Sequence, residues 1–204
     1  ALYVFDDALR PIGAIENLAD GEMVQSVRFL GDVVYFVTFR QVDPLFAVDL
    51  SDPTDPKILS ELKITGFSSY LHPFGDGRLV GIGFEADADT GRTEGVKVSL
   101  YDVSDPKNVT ELLRQTVDAD WTNVQQNHKA VYADADSGLV AFPVDDRFVV
   151  CRVSDAGVEL LGSIDMGNST WFGSARGVSI GDCFYVVNPG TVIVLDLDRM
   201  TELA

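Results

Sequence analysis

The 204-residue chain has only two cysteines, two histidines and 15 basic residues. The cysteines, Cys151 and Cys183, lie in the apolar runs FVVCRV and DCFYVV. Such positions suit two buried free thiols. A single disulfide is the alternative, and spacing alone does not separate the two. There is no Cys-x-x-Cys and no Cys/His cluster, which excludes a structural zinc site of the usual kind. Basic residues are outnumbered by 32 acidic ones, giving a formal charge of −17. Nucleic acid needs a clustered basic surface, so it is excluded as a partner. Attraction to anionic lipid is excluded on the same ground. No apolar stretch approaches the length of a membrane span. The opening ALYVFDD has no initiator Met, basic n-region or apolar h-region, so no targeting signal is visible. Residue 1 sits inside an apparent strand, and the expectation is a piece cut from a longer protein.

Helical periodicity is almost absent as well. Short runs of Val, Phe, Tyr, Ile and Leu are broken by Gly, Asp and Pro, which are strand and turn signals. VVYFVTF (33–39), LFAVDL (45–50), LVGIGF (79–84), VKVSLYDV (96–103), LVAFPV (139–144) and TVIVLDL (191–197) show the pattern. Their β-branched and aromatic content and their length fit strands.

These strands repeat. FAVDLSDPTDPK (46–57) is echoed by SLYDVSDPKNVT (99–110), both ending a strand in Asp-x-Ser-Asp-Pro. Weaker echoes place equivalent strand ends at Asp6, Asp49, Asp102, Arg152 and Asp196, with steps of 43, 53, 50 and 44 residues. A period near 47 with four strands per unit predicts an all-β fold, a β-propeller of about four to five four-stranded antiparallel blades, here a partial one. The blades run 22–66, 67–118 and 126–167. A partial blade of two strands at 1–20 precedes them, and a partial last blade of three strands follows at 174–204. The Ser-Asp-Pro segments read as turns, because their side chains cap backbone amides and Pro cannot continue a central strand. Gly-Asp at 31–32, 75–76 and 181–182 closes the first hairpins.

The run SVRFLGDVVYFVTFRQVDPLFAVDLSDPTDPK, with GVKVSLYDVSDP and NHKAVYADADSGLVAFP, resembles the bacterial and archaeal secreted proteins with a C-terminal β-propeller distantly related to WD40 repeats. The resemblance spans about residues 22–204 and is strongest over 22–145. It implies an exported or cell-surface propeller, of which this chain is the C-terminal part. It transfers no catalytic residues.

Three sets of side chains are candidates for chemistry. The first strand of each blade lines the axis of a propeller. Alignment on the closing turns puts Arg28, His72, His128 and Arg176 on one face by period two. Such a ring would hold an anionic group; the plainer alternative is arginines paired with carboxylates and histidines hydrogen-bonded in the core. The acidic loops DADTGRTEG (87–95) and DADSG (134–138) each carry Asp-x-Asp-x-Gly. Calcium wants several hard oxygens from one turn, and Glu85, Asp87, Asp89 and Glu94 form the candidate set, with Asp134 and Asp136 as a weaker one. The EF-hand spacing is not met, and Asp and Gly are also ordinary hairpin residues. Arg40-Gln41 beside Asp43 reads as a turn pair or a recognition patch. Trp121 and Trp171, in the long connections between blades, are core caps or partner anchors.

No Gly-x-Ser-x-Gly elbow, P-loop or Gly-x-Gly-x-x-Gly occurs. The expected function is a non-catalytic extracellular binding module with a protein or glycan partner. The competing expectation is a hydrolase or lyase at the channel mouth, which requires Arg28, His72, His128 and Arg176 to meet in one pocket. Free blade edges are expected to pair with the chain's own N-terminal strands in the last blade or with a second copy.

Overall fold

The computed structural model describes residues 1–39, 43–87, 90–167 and 175–203. A two-stranded sheet, β1 (Leu2–Phe5) and β2 (Pro11–Ile15), comes first. Four four-stranded antiparallel sheets follow. The second sheet is β3 (Met23–Leu30), β4 (Val33–Phe39), β5 (Asp43–Asp49) and β6 (Lys57–Ile64). The third is β7 (Phe67–Pro73), β8 (Arg78–Ala86), β9 (Thr93–Asp102) and β10 (Thr110–Val117). The fourth is β11 (Tyr132–Asp134), β12 (Leu139–Val144), β13 (Arg147–Ser154) and β14 (Gly157–Asp165). The fifth is β15 (Arg176–Ile180), β16 (Cys183–Asn188), β17 (Thr191–Asp196) and β18 (Thr201–Glu202). Within each sheet, strands pair in chain order, as up-and-down meanders.

The middle strands read as unbroken apolar runs because both of their faces are buried. Along β4, Val34 and Phe36 face the first sheet with Phe46 and Val48. Tyr35 and Val37 face the third sheet with Leu71, Leu79 and Tyr101. Along β13, Val149, Cys151 and Val153 join the core shared with the third sheet. Phe148 and Val150 join the core shared with the fifth. Five successive sheets thus enclose four cores, and among the described residues no such core joins the last sheet to the first. First strands of neighbouring sheets touch, β3 with β7 and β11 with β15, and so form the inner side of the arc.

The repeat marker has a structural counterpart. Asp49, Asp102, Arg152 and Asp196 each pair with the first residue of the second strand of their sheet: Val33, Arg78, Leu139 and Cys183. The aspartates then turn the chain. Asp49 Oδ1 accepts the Ser51 amide at 2.8 Å, and Asp196 Oδ1 accepts the Arg199 amide at 2.8 Å. Asp102 Oδ1 accepts from Ser104 through N at 2.9 Å and Oγ at 2.6 Å. These bonds hold the Asp49 and Asp102 carboxyls below the usual carboxylate range. In the first hairpins, Gly31 and Gly181 take φ of 60° and 58°, a conformation that costs a side chain-bearing residue more.

Three expectations need correction. The first strand of the fourth sheet does not begin at residue 128: His128–Ala130 is a 3-10 turn, and only Tyr132–Asp134 pair with β12. The segment 123–130 satisfies itself locally, with Gln126 N and Asn127 N donating to Asn123 O and Ala130 N to Asn127 O. The last sheet has four strands rather than three, because the Asp196 turn returns the chain to pair Glu202 with Leu195. The N-terminal strands therefore do not complete the last sheet; β1 pairs with β2, and Leu2 and Ile15 pack on the second sheet. The cysteines are free, Cys151 buried and Cys183 half-buried. Burial pushes the Cys151 thiol up to about 12, which makes it inert as a nucleophile at neutral pH.

Candidate functional site

The inner strands supply the first group of side chains. Leu30 pairs with Val33, and Phe74 N donates to Arg78 O, so Arg28 and His72 occupy equivalent positions two residues earlier. Asp134 pairs with Leu139 and Ile180 with Cys183, so the true equivalents in the next two sheets are Tyr132 and Val178. Arg176 lies one step further along its strand, and His128 leaves the strand altogether.

Arg28 and His72 converge through a residue that sequence reasoning missed, Tyr70. The Arg28 guanidinium carbon stands 5.6 Å from the Tyr70 ring centre, within cation–π reach. Its Nε donates to the Leu71 carbonyl at 2.8 Å. Tyr70 Oη and His72 Nδ1 are 2.8 Å apart, and their rings stack at 5.9 Å. Burial, with the Arg28 charge second, holds the His72 imidazole below its ordinary value of 6.5. Burial also raises the Tyr70 hydroxyl. A neutral imidazole beside a protonated phenol is the stable pairing. Tyr70 stands two residues before His72 on one strand, so period two carried the signal.

Arg28 and Tyr70 open onto a groove of about 320 Å³, also lined by Ser26, Ser69, Gln125 and His128. Gln125 Nε2 reaches across to donate to Gln25 Oε1 at 2.8 Å. Ser69 is buried, and its Oγ has no hydrogen-bond partner among the described residues. Arg176 does not join this groove. It lines a neighbouring cavity of about 480 Å³ with Trp121, Asn123, Gln126 and Asn127. The segment 121–128 is the wall between the two, sending Gln125 and His128 to one side and Asn123, Gln126 and Asn127 to the other. The four candidates therefore do not meet in one pocket: Arg28 and His128 line one groove, Arg176 lines the other, and His72 lines neither but bonds to Tyr70. No carboxylate lines either groove among the described residues.

The acidic loops are engaged in local bonding. Glu85 lies 3.3 Å from Arg114, which also contacts Thr65 Oγ1. Asp87 Oδ1 accepts from Thr90 through N at 2.8 Å and Oγ1 at 2.7 Å. Glu94 is exposed on β9. Asp134 accepts from the Asp136 amide and the Ser137 hydroxyl. Among the described residues, no three His, Cys, Asp or Glu side chains gather as a metal set. Asp89, Arg40, Gln41 and Trp171 lie outside the described residues.

Antiparallel meanders packed face to face, with their first strands innermost, define a propeller-type domain. A profile of the beta propeller domain family matches residues 1–200, and the chain belongs to that family. The chain is 38% identical over 196 residues to an uncharacterized protein of Archaeoglobus fulgidus, covering 96% of this chain and 29% of that protein. It is 34% identical over 160 residues to an uncharacterized protein of Methanocaldococcus jannaschii, covering 78% of this chain and 25% of that one. It thus spans less than a third of either relative's length. Among solved structures, apo AztD from Citrobacter koseri aligns at a TM-score of 0.53 and 14% identity, over 89% of this chain and 46% of that one. At that identity the likeness is one of fold.

No helix among the described residues is long and apolar enough to cross a membrane.

Proposed function

We propose that this domain is a non-catalytic binding module of an exported or surface protein, and that it takes an anionic group of a protein or glycan partner in the groove lined by Arg28, Tyr70 and His128. One observation carries the reading. A chain with 32 acidic residues lines this groove with a guanidinium, a histidine, three hydroxyls and one carboxamide, and with no carboxylate among the described residues. In a low-dielectric depression, such a lining focuses positive potential where the rest of the molecule is negative. The rival reading, a hydrolase or lyase at the channel mouth, required four side chains in one pocket; Arg176 lines a different cavity from Arg28 and His128. The edge of β1 and the face of β3 that carries exposed Val24, Val27 and Phe29, both uncovered among the described residues, support self-association as a further part of this reading.

The test is a thermal-shift titration with sulfate, phosphate and citrate. Saturation at about a hundredfold over Kd should stabilise the native state by about 2.7 kcal/mol, because only that state binds. Arg28→Gln should fold normally and lose the response. No shift with any of the three anions, or an undiminished shift in Arg28→Gln, would sink the assignment. Export is tested separately, by cell fractionation of the host with an antibody against the chain.

A further inference from the structure

The second cavity supports an inference beyond the anion groove, and it starts from Trp121. This indole is 43% exposed although the backbone beneath it is locked. Trp121 N donates to Asp145 Oδ1 at 3.0 Å, and Asp145 N donates back to Trp121 O at 3.0 Å. Asp120 N donates to the same carboxylate at 3.2 Å. Thr122, which is buried, anchors the next residue by donating its hydroxyl to Pro143 O at 2.7 Å. An exposed tryptophan costs solvation, and here its loop is fixed to the β12–β13 hairpin by four hydrogen bonds. Such pre-organisation lowers the entropy lost on binding.

The lining around the indole is selective. Asn123, which is buried, Gln126 and Asn127 bring three planar amides, and Arg176 brings a guanidinium whose Nη1 also donates to Ala175 O at 2.8 Å. A volume near 480 Å³ is in the range of small-molecule sites. An indole face takes the C–H face of a sugar ring, since it offers apolar area with a negative quadrupole. Amides match adjacent hydroxyls, being donor and acceptor at once. A guanidinium matches a carboxylate in bidentate fashion. Polyphosphates and nucleic acid fit poorly, because the surrounding chain carries a formal charge of −17. A sugar ring with one carboxylate matches each of the described lining residues.

We propose that the cavity between Trp121 and Arg176 binds an acidic sugar, with the ring stacked on Trp121, its hydroxyls on Asn123, Gln126 and Asn127, and its carboxylate on Arg176.

The probes are the methyl glycosides of single galacturonate and mannuronate rings, each with its methyl ester, titrated calorimetrically into the intact chain. The ester keeps the ring and removes the charge. At least one acid is expected to bind, about tenfold or more tighter than its ester, a difference of about 1.4 kcal/mol. Arg176→Gln should erase that difference while keeping ester binding. Trp121→Ala should abolish binding of both, with Trp121→Phe restoring part of it. Matching melting curves for the variants exclude misfolding. The proposal is overturned if neither acid binds at millimolar concentration, if acid and ester bind alike, or if Trp121→Ala and Arg176→Gln both bind as the parent chain does. The inorganic-anion response of the Arg28 groove is read independently, because the two cavities share no lining residue.

Discussion

At the scale of residues, the informative group is His72. Its imidazole is neutral in the folded chain because burial and the Arg28 charge both oppose protonation. In the unfolded chain it titrates near 6.5. The folded-state value is the lower of the two, so between them the unfolded state holds more protons. The contribution of His72 to stability is therefore complete above 6.5 and declines as pH falls toward the folded value. His72→Gln cannot charge. The stability difference between the parent chain and His72→Gln, from urea unfolding, should shrink as pH is lowered from about 7.5 to about 5. A difference that is flat across that window would show that the histidine is not held neutral. Asp49 and Asp102 lose their contributions lower down, because their values sit below 3.8 in the folded chain and near it in the unfolded one.

At the scale of elements, the strands and their repeat were legible because the inputs are local. Apolar runs with β-branched residues give strands, and Asp-x-Ser-Asp-Pro marks where they end. Asp49, Asp102 and Asp196 keep the same register in three sheets, and Arg152 keeps it without the turn chemistry. The failures lie where tertiary contacts decide. His128 follows strand-like spacing, yet Asn123 and Asn127 carbonyls draw it into a 3-10 turn. β18 is two residues long, too short for any pattern to announce. The Trp121 loop is pinned by Asp145, 24 residues away, a pairing that no spacing rule contains. Glycines in β8 record another contact invisible in sequence. A Cβ on Gly83 would land on the Phe67 carbonyl oxygen of the paired strand, and one on Gly81 would crowd Ser68 Oγ. Gly83→Ala must push β7 and β8 apart beside a fully buried core, which costs about 1–3 kcal/mol. The measurement is the denaturant midpoint. An unchanged midpoint would mean that β7 yields freely, against the close packing described.

At the scale of the whole molecule, the first sheet is the unusual feature. β1 and β2 cover β4 and β5, where Leu2, Leu18 and Ile15 meet Val34, Phe36, Phe46 and Val48. Nothing among the described residues covers the same face of β3, where Val24, Val27 and Phe29 stand exposed, Phe29 by 65%. They rim an apolar groove of about 190 Å³ with Leu2, Leu18, Val34 and Phe36. β3 meets β7, while this face has the apolar pattern of a packed surface without packing among the described residues. A contiguous apolar patch beside a free strand edge favours association. In dilute solution, the side chain of Phe29 contributes little to the fold. Phe29→Lys should therefore change unfolding stability by no more than about 0.5 kcal/mol, the scale of a surface substitution. Its effect on association should be larger, since each buried contact between two copies would desolvate the new ammonium. Sedimentation velocity over a range of concentrations separates these effects. The parent chain is expected to show reversible, concentration-dependent growth, and Phe29→Lys to remain at the monomer value with the same melting curve. A parent chain that stays monomeric throughout would show that the bare face of β3 is tolerated by solvent. A Phe29→Lys variant that unfolds early would show that the face is more tightly covered than its exposure implies.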